Sequence, residues 1–79
     1  MNTKMFKIFM IENNDTQSKL AEVLHLPQSA VSDRINGKTE FRQDEINTIR
    51  IRWSLSAQQT VDLFFAKEVS KKDTEQKGA

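Results

Sequence analysis

The amino-acid sequence predicts a small all-α domain of five helices. Its 79 residues include only two glycines and one proline, and 29% of them are charged, a composition that favours helices over strands. Apolar residues recur three and four positions apart, a spacing that places them on one face of a helix. We therefore expect one helical domain over residues 1–68, followed by a disordered polar tail over residues 69–79, where lysines alternate with acidic residues.

Polar residues mark the boundary between the first two helices. The first helix is predicted over residues 4–12 and ends at the Asn-Asn-Asp run at 13–15, because short polar side chains compete for backbone hydrogen bonds and favour turns. Thr16 is a suitable N-cap, since its hydroxyl can accept a hydrogen bond from a free backbone amide one turn later. The second helix is predicted over residues 17–24.

Proline and glycine bound the third helix. Pro27 fixes φ near about −65° and is tolerated only in the first turn of a helix, so the third helix is predicted to start at Pro27 or Gln28. The Asn36-Gly37 pair is typical of a left-handed C-terminal cap. These limits predict a helix over residues 28–35.

The last two helices are predicted by apolar spacing and by a capping pattern. A fourth helix is expected over residues 42–52, ending before Ser54. Ser56 and Gln59 have the three-residue spacing of a capping box, which predicts a fifth helix that runs to about Glu68.

The inward faces of these helices define the predicted core. Trp53 is expected to be a core residue rather than an anchor for another subunit. The residues expected to face the core are Phe6, Phe9, Met10, Leu20, Ala21, Leu24, Leu26, Ala30, Val31, Ile35, Ile46, Ile49, Trp53, Val61, Phe64 and Phe65.

Composition excludes several classes of function. The chain has no cysteine and one histidine, so it offers no disulfide, thiolate nucleophile or histidine-rich metal site. The longest apolar run, residues 8–11, is far too short to span a membrane. Asp44 and Glu45 are adjacent and would point about 100° apart on a helix, so they make no shared acid/base site. We expect no enzyme activity, no cofactor, no metal, no small-molecule ligand, and a cytoplasmic location.

The predicted second and third helices are joined by a turn of three residues. The lengths of these three segments are those of a helix-turn-helix. The motifs in this region resemble the five-helix, lambda-repressor-like domain of the phage Cro and CI repressors, also called XRE-type regulators. The resemblance covers roughly residues 4–66. The motifs that carry it are Thr16-Gln17, Leu20-Ala21, Ala30-Val31-Ser32 and Ile35-Asn36-Gly37-Lys38.

The resemblance implies roles for individual residues. The start of the second helix and the loop after the third would contact phosphate, and the outer face of the third helix would reach base edges. His25 stands where the family usually has a glycine with positive φ, and Pro27 replaces the usual Ser or Thr cap. The residues assigned to DNA binding or partner binding are Gln17, Gln28, Ser29, Ser32, Asp33, Arg34, Asn36, Lys38 and Thr39.

Two functions remain open at this level. The first is a phage Cro/CI-type regulator that binds double-stranded operator DNA in the cytoplasm of a bacterial host, with a homodimer as one expected assembly. The second is an antirepressor, or modulator of repression, of a temperate phage, which binds the DNA-binding domain of a partner repressor protein. Charge supports the second hypothesis, because the formal net charge is only +1 and the charges from Thr16 to Gly37 sum to zero.

Overall fold

The computed structural model describes residues 1–65, and within that range it confirms the predicted all-α domain. The fifth helix continues as a π-helical segment, while its predicted extension beyond residue 65 and the predicted tail at 69–79 lie outside the described residues. No helix in residues 1–65 is long and apolar enough to cross a membrane. The helices are α1 (Thr3–Glu12), α2 (Gln17–Leu24), α3 (Gln28–Ile35), α4 (Gln43–Arg52) and α5 (Ala57–Thr60), followed by the π-helical segment Val61–Phe65.

Side-chain caps start α2 and α5 as the sequence predicts. The Thr16 hydroxyl accepts a hydrogen bond from the Lys19 backbone N–H at 3.1 Å. Ser56 and Gln59 form a reciprocal capping box: Ser56 Oγ accepts from the Gln59 N–H at 3.0 Å, and Gln59 Oε1 accepts from the Ser56 N–H at 2.9 Å. Each cap satisfies amides that have no partner inside the helix, so both helix starts are fixed by local sequence.

One type of C-terminal turn ends each of the first four helices. After α2, the Leu26 N–H donates to the Ala21 carbonyl at 2.9 Å and the His25 N–H donates to the Glu22 carbonyl at 3.3 Å, which is a Schellman motif. His25 has a φ of 57°, so it adopts the left-handed conformation that the family usually gives to a glycine at this position. The residues with positive φ at these four ends are Asn14, His25, Gly37 and Ser54. A glycine therefore occupies only one of the four left-handed positions.

An aromatic cluster forms the centre of the core. Phe6 is fully buried, and its ring centroid lies 5.0 Å from that of Trp53, 5.4 Å from that of Phe41 and 6.0 Å from that of Phe64. Phe9 stacks on Trp53 at 5.8 Å. Trp53 is 6% exposed, which confirms the prediction that it belongs to the core. These rings join α1 to α4, to the loop before α4 and to the π-helical segment.

The prediction for the inner face of the fifth helix is wrong at two positions. Val61 is 49% exposed and Phe65 is 54% exposed, whereas Leu63 is fully buried. Phe64 is buried as predicted. The prediction assumed α-helical spacing, but the backbone becomes π-helical from Val61 onward, and its wider turn rotates the side chains to different directions.

A buried carboxylate anchors the loop between α1 and α2 to the end of α4. Asp15 accepts hydrogen bonds from Arg52 Nη2 at 2.8 Å and Nε at 2.9 Å, and from the Trp53 indole N–H at 2.6 Å. The hydrogen bond from Arg52 holds the pKa of Asp15 below its usual range; burial opposes this effect, and the Trp53 hydrogen bond adds to it. Because Asp15 directly precedes the N-cap of α2, this network fixes the start of α2 relative to α4.

Candidate nucleic-acid interface

The α2 and α3 helices form a helix-turn-helix with a three-residue turn. The turn consists of His25, Leu26 and Pro27, and the Schellman motif at the end of α2 directs the chain into α3. Leu20 of α2 and Val31 of α3 are both fully buried. These two residues, both predicted to face the core, lie in the buried seam between the helices, whose other faces remain available to solvent.

The outer face of α3 is polar and carries four of the predicted base-reading residues. Successive side chains on a helix point about 100° apart, so Ser29 and Asp33 point away from the buried Val31 and Ile35, while positions 28 and 32 lie at the edge of this surface next to Ile35. Gln28 and Ser29 are exposed, whereas Ser32 and Asp33 are half-buried. The Asn36 side-chain amide donates to Ser32 Oγ at 3.3 Å, which extends this face to the end of the helix.

The predicted phosphate contacts lie at the start of α2 and in the loop after α3. Gln17 is the first residue of α2 and is half-buried, while Lys38 and Thr39 are exposed in the loop after α3. The Asp33 carbonyl accepts hydrogen bonds from the backbone N–H of Lys38 at 2.8 Å and of Thr39 at 3.4 Å. The start of this loop is therefore fixed to α3.

The family assignment follows from comparison with known proteins. A sequence profile described as helix-turn-helix matches residues 6–49, more than half of the chain. The chain belongs to the helix-turn-helix family. This is the Cro/CI or XRE type that the sequence motifs resemble, and it places the protein among the DNA-binding transcription regulators. No curated protein and no solved structure gives a significant match to the chain.

Arg34 of this helix-turn-helix protein points away from the polar face of α3. Its guanidinium forms a two-pronged ion pair with Glu45 of α4, with Nε to Oε1 at 2.7 Å and Nη2 to Oε2 at 3.2 Å. The side chains of Arg34 and Glu45 are 14% and 7% exposed. Arg34 was expected to share in target binding, but here its charge is neutralised by Glu45 inside the fold.

The helix-turn-helix therefore presents a surface with no excess of positive charge. Lys19 is partly engaged, since its ammonium donates to the Asn14 carbonyl at 3.1 Å. The Asp33 carboxylate has no hydrogen-bond or ion-pair partner among residues 1–65. The charged side chains left on α2, on α3 and in the loop that follows, up to residue 39, are Lys19, Glu22, Asp33 and Lys38. Their formal charges sum to zero; the zero sum counted from Thr16 to Gly37 along the sequence included Arg34 and did not include Lys38.

Sequence reasoning missed Glu45 as a residue that organises the helix-turn-helix. In the sequence, Glu45 stands out only as half of an acidic pair with Asp44. Glu45 is 6% exposed, and besides pairing with Arg34 it accepts a hydrogen bond from the Arg42 backbone N–H at 2.9 Å. An acid three residues after the start of a helix is a recognisable capping signal. Its pairing with Arg34, eleven residues earlier, has no comparable local signal.

Proposed function

We propose that the protein is a regulator of the phage Cro/CI type that binds operator DNA with α3 in the major groove. The observation that carries the proposal is the outer face of α3, where Gln28, Ser29, Ser32 and Asp33 lie together on a helix braced by α2. A glutamine can pair with adenine N6 and N7, a serine with either class of base, and an aspartate can accept from cytosine N4.

Residues next to α3 supply the contacts that would hold it on the duplex. Gln17 at the start of α2, and Asn36, Lys38 and Thr39 after α3, carry amide, hydroxyl and ammonium donors suited to phosphate oxygens. A homodimer would place two α3 helices in half-sites about 34–36 Å apart. Such a complex would regulate transcription by occluding a promoter.

Replacing Gln28 with alanine tests the base-reading role. We expect the specific complex to weaken by about 1–3 kcal/mol, because a two-bond contact to a base would be lost. The measurement is a fluorescence-anisotropy titration on DNA from the protein's own promoter region, with unrelated DNA as competitor. Gln58→Ala, an exposed glutamine on α5, is the matched control and should bind as the unmodified protein does. Equal affinities for the two variants would remove Gln28 from base recognition.

One observation favours a second function, that of an antirepressor. Because Glu45 neutralises Arg34, the outer surface of the helix-turn-helix has as many carboxylates as ammonium groups. A surface of zero net charge gains little from phosphate neutralisation. The Asp33 carboxylate would suit a basic partner surface, such as the DNA-binding face of a repressor protein.

Charge reversal at Asp33 tests this second function. We expect Asp33→Arg to weaken a complex with the DNA-binding domain of a partner repressor by about 2 kcal/mol or more, since a carboxylate paired across the interface would become a repelling cation. Isothermal titration calorimetry against a candidate partner repressor provides the measurement. Asp62→Arg, which reverses an exposed carboxylate outside the helix-turn-helix, is the control. Unchanged affinity in Asp33→Arg would contradict the antirepressor role of this face.

A gel-shift titration separates the two functions. Promoter DNA is incubated with this protein alone, with the same candidate partner repressor alone, and with both together. A shift by this protein alone supports operator binding. Loss of the repressor's shift, with none from this protein at any salt concentration, supports the antirepressor and contradicts operator binding.

A further inference from the structure

The side-chain ion pair that joins α3 to α4 lies in the C-terminal half of α3. Its N-cap, Pro27, contributes no side-chain hydrogen bond. Arg34, in the last turn, forms the two-pronged ion pair with Glu45 and also donates from Nη1 to the Ala30 carbonyl at 3.3 Å. The guanidinium is thus oriented by its own helix on one side and by α4 on the other.

The same carboxylate also closes the loop between α3 and α4. Glu45 Oε1 accepts hydrogen bonds from both Arg34 Nε and the backbone N–H of Arg42, the last residue before α4. At its other end, the loop is held by the hydrogen bonds of Lys38 and Thr39 to the Asp33 carbonyl. The loop is therefore connected to α3 at both ends, once directly and once through Glu45.

We propose that Glu45, acting through Arg34, is a positioning residue that stabilises the direct attachment of Lys38 and Thr39 to α3, and so maintains the distance between the proposed base-reading face of α3 and these proposed phosphate-contacting residues. A two-pronged arginine–carboxylate pair restricts geometry more than a single hydrogen bond does. A buried ion pair contributes little net stability compared with apolar residues of similar volume, so its role here is geometric. The inference rests on the proposed recognition role of α3 and the loop.

A double substitution separates positioning from stability. Arg34→Met with Glu45→Leu replaces the pair by apolar residues, an exchange that often leaves a protein as stable or more stable. Amide hydrogen exchange by NMR is measured for Lys38 and Thr39, with the buried Ile49 as the reference for global unfolding. We expect exchange at Lys38 and Thr39 to become about tenfold faster or more, with little change at Ile49.

Binding to promoter DNA gives a second measurement. The slope of log affinity against log salt concentration should become shallower by about 1 if the contact of the Lys38 ammonium with phosphate is lost. Unchanged slope together with unchanged exchange at Lys38 and Thr39 would overturn the proposal and leave the pair a purely structural feature. If the unmodified protein binds no DNA, the operator-binding function fails, while the exchange data still decide whether Glu45 positions the loop.

A milder variant keeps the test decisive if the double variant does not fold. Arg34→Lys retains the positive charge but loses the planar fork that matches a carboxylate. We expect faster exchange at Lys38 and Thr39 in this variant as well. Exchange as slow as in the unmodified protein would show that charge alone is sufficient and would overturn the geometric role.

Discussion

Replacing Phe6 with alanine is expected to lower the free energy of unfolding by about 3–5 kcal/mol. Phe6 is fully buried and its ring contacts Trp53, Phe41 and Phe64, so its removal leaves a cavity among three other aromatic rings. Small domains have total stabilities of about 5–15 kcal/mol, so this loss is a large fraction of the whole. Urea unfolding followed by far-ultraviolet circular dichroism measures the change.

The control for this substitution is Phe65→Ala. Phe65 has the same side chain but is 54% exposed, so its removal should change the free energy of unfolding by less than about 1 kcal/mol. Equal destabilisation by the two substitutions would contradict the central position of Phe6 in the core.

Replacing Asp15 with asparagine is expected to lower the free energy of unfolding by about 3 kcal/mol at neutral pH. This value is near the lower end of the range for breaking a buried ion pair. The asparagine has nearly the same shape, but its amide group would face the donors of Arg52 and Trp53. The lower end applies because the Arg52 side chain is 36% exposed and can be rehydrated. Asp62→Asn, at an exposed carboxylate that accepts from Gln58, should stay within about 0.5 kcal/mol of the unmodified protein.

The pH dependence of this substitution has a definite sign. The Arg52 guanidinium lowers the pKa of Asp15 in the folded protein. The contribution of the ionised Asp15 to stability is therefore fully present above its unfolded-state pKa of about 3.9. The contribution is lost as the pH falls through the lower, folded-state pKa. The stability difference between the unmodified protein and Asp15→Asn should therefore be constant near neutral pH and shrink below about pH 4. A difference that stays constant into strong acid would contradict the ion pair.

Helix boundaries were predictable because their signals are local. Thr16, the Ser56 and Gln59 pair, and Asn36-Gly37 each act within one turn of the chain, and all three were predicted correctly. The exposure of Phe65 was predicted wrongly, because a sequence pattern assumes one helical period and does not reveal where the backbone changes to another.

The two ion pairs that contain a buried carboxylate were not predictable from sequence. Asp15 and Arg52 are 37 residues apart, and Arg34 and Glu45 are eleven residues apart. Many charged residues could have paired in a chain in which 29% of residues are charged, and only the packing of α4 against the helix-turn-helix selects these partners. The roles assigned to Gln28, Ser29, Ser32 and Asp33 were implied by the resemblance to the phage repressor family, whereas the pairing of Arg34 with Glu45 had no signal in the sequence.

The residues with positive φ at the helix ends are also positions where a substitution could make this fold more stable. A left-handed conformation costs an L-residue about 1–2 kcal/mol, while a glycine there costs about 0.4–1 kcal/mol through the greater freedom of the unfolded chain. Replacing His25 or Ser54 with glycine should therefore raise the free energy of unfolding more than replacing Asn14 does, because asparagine tolerates this conformation better than most residues. The turns that separate the helices are thus the positions where the protein could become more stable with its core and its recognition surface unchanged.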